Sequence, residues 1–85
     1  MEENEVKALL AGTLVFDDII VETQDGKHFT IIAVSAEFKG MSRLKQHQLV
    51  YNQLMEPIQR NDIHAVSIKT YTPQVWERDK KLMSF

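Results

Sequence analysis

Residues 61–73 read NDIHAVSIKTYTP, and this stretch decides the fold. Apolar and polar residues alternate along residues 63–71, which predicts a strand with one buried face. Thr72 and Pro73 then suit the N-cap and first position of a helix, so a final helix should follow the strand. The second residue of the strand is His64, on its core-facing parity, and its imidazole is a side chain that titrates near neutral pH and binds metals.

Two further strands are predicted upstream. Residues 18–23 carry consecutive β-branched side chains, and residues 28–35 are apolar on both parities, as in a central strand that is covered at least partly on both faces. Between them stands Asp25-Gly26, the strongest hairpin signal in the chain. These two strands should therefore be antiparallel.

Helices are predicted over residues 3–12, from about Ser42 to Gln59, and after the third strand. Pro57 should kink or break the long helix. That helix is the crossover from the second strand to the third, so these two strands should be parallel neighbours. The chain, residues 1–85, is predicted to be one α+β domain in the order α-β-β-α-α-β-α, with a three-stranded mixed sheet and helices on one face.

One histidine is predicted inside the long helix. His47 lies one turn from Leu44 and one turn from Tyr51, on an apolar stripe that should face the sheet. The stripe continues through Leu54 and Ile58, and Val50 and Met55 lie beside it. The expected role of His47 is that of a hydrogen-bonded core residue that ties the helix to the sheet.

Composition limits the possible functions. The 85 residues are 44% hydrophobic and 26% charged, with a net charge of −2 and no cysteine. These values are typical of a globular domain, and they argue mildly against a main role in binding phosphate backbones. The absence of cysteine excludes disulfides, thiolate metal sites and a cysteine nucleophile. The acidic start and the short apolar runs predict a cytoplasmic protein.

The predicted topology brings two histidines together. His28 opens the second strand and His64 opens the third, so both should lie at the same end of the sheet. Neighbouring strands are ~4.8 Å apart, close enough for two imidazoles to share one metal ion or cluster. The alternative is that each is an ordinary hydrogen-bonded residue near a strand end.

The chain resembles the BolA family along nearly its whole length. The resemblance is carried by F-x-G-x-x-R-x-x-x-H, a strand-opening I-H-A and T-x-T-P. The matching residues are Val34, Phe38, Gly40, Arg43, His47, Val50, Tyr51, Leu54, His64, Ala65, Thr70, Thr72, Pro73 and Trp76.

This resemblance implies a fold similar to a type II KH domain and a specific partner. BolA-like proteins pair with monothiol glutaredoxins around a bridging [2Fe–2S] cluster, used in iron–sulfur trafficking or in iron, redox and acid-stress regulation. The glutaredoxin brings a cysteine and a glutathione thiol. On the BolA-like side the strand-opening histidine matches His64, and the candidate from the hairpin region is His28. The isolated chain is expected to be a monomer without a cofactor.

A partner surface is expected along the end of the third strand and the last helix. Aromatic and arginine side chains often anchor interfaces. The candidate residues are Tyr71, Thr72, Pro73, Trp76, Arg78 and Lys80. For Trp76, a place in the core is the alternative.

Two other classes of function remain open. A KH-like fold could bind DNA as a transcriptional regulator, with Lys39, Arg43 and Lys45 on phosphates, although Arg43 stands where the usual G-x-x-G loop has its second glycine. An enzyme is not predicted, because no nucleophile is matched to the histidines. A zinc site at the two strand-opening histidines would need further ligands or water.

Overall fold

The computed structural model describes residues 1–12 and 15–82. The elements, in chain order, are α1 (Glu3–Ala11), β1 (Asp18–Thr23), β2 (His28–Val34), a 3-10 turn (Ala36–Phe38), α2 (Arg43–Asn52), α3 (Met55–Gln59), β3 (Ala65–Tyr71) and α4 (Pro73–Asp79). The predicted order of helices and strands is confirmed. Within the described part of the chain, no helix has the length and apolar character that a membrane crossing requires.

The sheet has the predicted mixed topology, with the strand order β1-β2-β3. β1 and β2 are antiparallel, with Asp18 opposite Val34. β2 and β3 are parallel, with His28 opposite Ala65. The amino-terminal ends of β2 and β3 therefore share one rim of the sheet.

The main core lies between one face of the sheet and helices α1, α2 and α3. Alternate residues of β2 point to this face, because successive side chains of a strand face opposite sides. The buried residues of this core are Val6, Leu10, Val21, Phe29, Ile31, Ala33, Phe38, Val50, Leu54 and Ile63.

A second, smaller cluster corrects the expectation that the helices pack on one face. Trp76 of α4 is buried with Ile32 and Val34. These two β2 residues alternate with Ile31 and Ala33 of the main core, so α4 covers the opposite face. The physical reason is that β2 is apolar on both parities and needs cover on its second face as well.

The long helix is broken, as Pro57 predicts, but the break lies upstream of the proline. α2 ends at Asn52 and α3 begins at Met55. A proline ring clashes with the carbonyl group four residues earlier, here that of Gln53, and its nitrogen carries no hydrogen. Pro57 is therefore the third residue of α3, where a missing N–H group leaves no helical bond unmade.

The predicted stripe of the long helix is buried only in part. Leu44 is 69% exposed and Tyr51 is 40% exposed, whereas Val50 and Leu54 are buried. His47 is half-buried. The prediction that the stripe faces the sheet is therefore wrong for Leu44 and Tyr51 and confirmed for Leu54.

A polar residue helps to set the orientation of α2. The Gln46 side-chain amide donates hydrogen bonds to the carbonyl groups of Phe38 and Met41, at 3.1 and 3.0 Å. Its oxygen accepts a 2.6 Å bond from the Thr70 hydroxyl. Gln46 thus joins α2 to the preceding turn and to β3, and a hydrophobic pattern contains no sign of this constraint.

Candidate functional site

His28 and His64 meet at the rim where β2 and β3 begin. Their ring centroids are 5.7 Å apart, and the ring planes are tilted by 50°. Both residues are exposed. The parallel register places His28 opposite Ala65, so the residue just before β3 falls beside the first residue of β2.

His64 does not occupy the core-facing row on which its parity would place it. Regular pairing of β3 begins at Ala65, one residue later. The backbone N–H groups of His64 and Ala65 both donate to the carbonyl of Lys27, at 2.7 and 3.3 Å. His64 therefore lies ahead of the regular ladder, and its ring is open to solvent instead of facing the core with Val66.

The β1–β2 turn that leads into His28 is held by a dense set of hydrogen bonds. One carboxylate oxygen of Asp25 accepts the backbone N–H groups of Lys27 and His28, both at 2.9 Å. The other oxygen lies 2.6 Å from His28 Nδ1. The Thr23 hydroxyl accepts from the Gly26 N–H at 2.9 Å and donates to the His28 carbonyl at 2.7 Å. Gly26 has φ +74°, a left-handed conformation that glycine adopts without strain.

These hydrogen bonds affect the pKa of the Asp25 carboxyl group. The pKa of Asp25 is strongly lowered from its ordinary value of 3.8, first by the backbone N–H groups of His28 and Lys27 and then by the His28 imidazole. The carboxylate is half-exposed, so this effect comes from aimed donors and not from exclusion of water.

Lys27 joins the two segments that bear the histidines. Its carbonyl accepts the His64 N–H, and its Nζ donates a 3.1 Å bond to the carbonyl of Asn61. Asn61 has φ +63°, a left-handed conformation that asparagine tolerates better than most residues. A shallow open cleft results, lined by Asp25, Lys27, His28, Asn61 and His64.

The ligand set at this cleft is incomplete for a metal centre built by one chain. No group of three or more His, Asp or Glu side chains is placed to hold a metal ion within residues 1–12 and 15–82. Structural zinc sites and [2Fe–2S] clusters each use four protein ligands. The cleft offers two imidazoles, fewer ligands than either kind of centre requires.

The predicted partner surface begins at the opposite end of β3, where Tyr71 is about 20 Å from Ala65 at the rise of a strand, and continues along α4. It comprises Tyr71, Thr72, Pro73, Trp76, Arg78 and Lys80. Trp76 is only 5% exposed, and its ring lies 5.2 Å from that of Tyr71. For Trp76 the alternative, a place in the core, is what the structure has, because it covers Ile32 and Val34. Arg78 and Lys80 are exposed and contact the acidic residues of α4.

The three basic residues suggested for nucleic acid lie in and before the first turn of α2. Lys39, Arg43 and Lys45 are all exposed, and none has an ion pair among the described residues. The sequence contains no acidic residue from position 38 to position 55. Gly40 adopts φ +84° in this turn, and the Ser42 hydroxyl caps α2 by accepting the Lys45 N–H at 3.2 Å.

The sequence pattern does not indicate which residues arrange the two histidines. It predicts Asp25 as a turn residue, and it predicts no role for Lys27 or Asn61 in placing the histidines. For Asp25 a signal was present, because an aspartate in a tight turn commonly accepts backbone N–H groups two or three residues later. For the Lys27–Asn61 bond there was no signal, since it joins positions that are distant in the sequence.

Comparison with known proteins gives concordant results. Residues 11–75 match the model of the family described as BolA-like protein. The acid stress protein IbaG of Escherichia coli K12 is 52% identical over 85 residues, covering 100% of both chains. The structure of a BolA protein homologue from Coxiella burnetii aligns with a TM-score of 0.75 and 36% identity, covering 92% of this chain and 99% of the other. The DNA-binding transcriptional regulator BolA of Haemophilus influenzae is 36% identical over 50 residues, covering 59% of this chain and 48% of the relative.

Proposed function

Because the chain belongs to the BolA family, we propose that it is the histidine-bearing partner of a monothiol glutaredoxin and completes a shared [2Fe–2S] cluster. His64 and His28 would be its two ligands. The cysteine and the glutathione thiol would come with the glutaredoxin, in a heterodimer. The observation that carries the proposal is the 5.7 Å approach of the two exposed rings at one rim of the sheet.

The two imidazoles would supply two of the four ligands that such a cluster needs. Two neutral imidazoles can replace two thiolates on one iron, as in Rieske centres. A chain without cysteine that offers two converging imidazoles, and no third ligand among the described residues, is suited to complete a centre that another protein half-builds. When bound, the cluster would supply one-electron redox chemistry, at a potential above that of an all-thiolate site.

The proposed role is regulation or trafficking, not catalysis, and its setting is the cytoplasm. Imidazole ligands compete with protons for the metal, so a mixed-ligand cluster should be released as the pH falls toward the range where histidine titrates. This property supports a link to acid conditions. The name of the Escherichia coli relative, an acid stress protein, points the same way.

The test is reconstitution with a monothiol glutaredoxin and glutathione, followed by visible absorption and circular dichroism. Wild type, His28→Ala and His64→Ala are compared at equal concentration. His47→Ala is the matched control, because it removes the remaining histidine from a half-buried place on α2. We expect His64→Ala to lose the heterodimer spectrum, His28→Ala to weaken or alter it, and His47→Ala to retain it. A spectrum unchanged in both strand-end variants would refute the proposal.

The alternative function is DNA binding through the start of α2. It is favoured by the three exposed cations, which form no ion pair with the described residues, and by the similarity to the Haemophilus influenzae protein, a DNA-binding transcriptional regulator. Each phosphate contact contributes close to one unit to the slope of log affinity against log salt. A double variant, Arg43→Gln with Lys45→Gln, should lower that slope by about two in a mobility-shift assay. Arg78→Gln with Lys80→Gln is the charge-matched control, and an equal loss in both pairs would indicate non-specific attraction.

A further inference from the structure

We infer that Asp25 is the positioning residue of the cleft and fixes the tautomer of His28, so that Nε2 of this ring is the atom offered to a metal. The inference rests on the proposed function only for the identity of the metal centre. The tautomer itself is a property of the free chain and can be measured without any partner.

The argument begins with the contact between Asp25 Oδ2 and His28 Nδ1, which is 2.6 Å long. An ionised carboxylate can only accept hydrogen bonds, so the hydrogen of this contact must be on Nδ1. A neutral imidazole carries one N–H, and its other nitrogen then has a free lone pair. Nε2 of His28 is therefore the unprotonated nitrogen in the neutral ring.

The carboxylate is itself fixed in place. Its other oxygen accepts the N–H groups of Lys27 and His28, so a rotation of the side chain would break two backbone hydrogen bonds. An aspartate carboxyl group is ionised at neutral pH without any perturbation, and the ionised group is the one that can accept from Nδ1. This arrangement matches the carboxylate–histidine pairs that orient imidazole ligands in known metal sites.

The two histidines are not equivalent in this respect. His64 is anchored through its backbone N–H to Lys27, and no carboxylate contact with its ring is found among the described residues. The cleft thus combines one ring with a preset tautomer and one ring whose tautomer is left to the incoming ligand. Asp25 therefore presets only one of the two nitrogen ligands.

The first experiment measures the tautomer directly in the free chain. Imidazole nitrogens labelled with ¹⁵N are observed by long-range proton–nitrogen correlation, at a pH above the histidine titration. In wild type, His28 should show a protonated Nδ1 and a bare Nε2. A wild-type ring that is protonated mainly on Nε2 would overturn the inference, whatever happens in any variant.

The variant Asp25→Asn sharpens this measurement. Its amide oxygen can still accept the two backbone N–H groups, whereas its NH₂ group would donate to His28 Nδ1 and favour the opposite tautomer. We expect the tautomer ratio to change by about tenfold or more, in line with the strength of charge-assisted hydrogen bonds. Asp62→Asn is the charge-matched control, because Asp62 pairs with Arg60 and should leave the ratio unchanged. An unchanged ratio in Asp25→Asn, with the turn still folded, would contradict the inference.

Reconstitution with glutaredoxin and glutathione separates this inference from the proposed function. We expect Asp25→Asn to lower the cluster's resistance to a chelator by about tenfold, the lower end of the range for residues that orient metal ligands. A wild-type chain that assembles no cluster but shows the expected tautomer would refute the function and leave the role of Asp25 standing. A cluster of equal stability and spectrum in wild type and Asp25→Asn would refute the positioning role and leave the function standing.

Discussion

The two ends of the β2–β3 pair are built in opposite ways. At the carboxyl end, Val34 is covered by Trp76 on one face of the sheet, while Ala33 beside it is buried in the main core on the other. At the amino end, His28 and Ala65 are exposed, and the cleft is shaped by loop hydrogen bonds. The difference lies in the second face of β2, which is covered only toward its carboxyl end. On the first face, the amino end is still packed through Phe29 and Ile63. The exposed positions of the amino end can carry ligand chemistry at little cost to stability.

The largest expected effect on stability tests the carboxyl end of the β2–β3 pair, which Trp76 covers (the covered end); the amino end, with His28 and His64, is the open end. Trp76→Ala removes a buried indole that packs on Ile32 and Val34, and we expect a loss of about 3–5 kcal/mol in the free energy of unfolding. His64→Ala at the open end should change it by no more than about 0.5 kcal/mol. Denaturant unfolding followed by far-UV circular dichroism measures both. A stable Trp76→Ala chain with weakened glutaredoxin binding would instead place Trp76 on the partner surface.

A smaller effect is expected where α2 joins the covered part of the sheet. Gln46→Leu would leave the carbonyl groups of Phe38 and Met41 and the Thr70 hydroxyl without this partner, at a cost of about 1–3 kcal/mol in the free energy of unfolding. Gln48→Leu is the control, because Gln48 is exposed on the same helix and should give a change within about 0.5 kcal/mol. Equal stabilities of the two variants would show that the Gln46 bonds do not fix α2.

The comparison of the two ends also shows what the sequence could predict. Local signals were sufficient for the strands, since Asp25-Gly26 marks the hairpin and alternation marks β3. Topology then required His28 and the start of β3 to share a rim, and the structure has both rings there.

The errors concern features that depend on distant contacts. The predicted stripe has a helical period, yet Leu44 and Tyr51 on it are exposed, because the orientation of α2 follows the neighbouring Val50 and the Gln46 bonds. A hydrophobic period cannot show which of two neighbouring stripes is buried when the hydrogen bonds of a polar residue also influence the rotation of the helix about its axis.

The hydrophobic pattern also could not predict which side of the sheet α4 covers. The apolar residues on both parities of β2 required some cover on the second face, yet they did not specify the element that supplies it. The structure assigns this role to Trp76.

At the open end, a still smaller effect on stability is expected from Lys27→Met. The Nζ bond to the Asn61 carbonyl is exposed, so its loss should cost no more than about 1 kcal/mol in the free energy of unfolding. The two histidine-bearing segments would then be joined only through the Lys27 carbonyl. We expect the reconstituted cluster to yield to a chelator about tenfold more readily, as for other residues that orient ligands. Lys69→Met, which removes an exposed cation from β3, should leave this resistance unchanged.

The smallest expected effect is the response of the β1–β2 turn, which Asp25 holds, to acid. A carboxyl group whose pKa is lowered on folding contributes stability that is fully present above its ordinary value, here 3.8, and is lost as the pH falls through the lower folded value. The turn that Asp25 holds should therefore stay closed to a lower pH than a turn held by an aspartate with an ordinary pKa. The amide signals of Lys27 and His28 should keep the shifts of the closed turn through pH 3.8 and change only in stronger acid. Trp76 fluorescence would report global unfolding over the same range. If the two amides titrate at the ordinary aspartate value while the fluorescence is constant, the Asp25 bonds are too weak to hold the His28 turn closed.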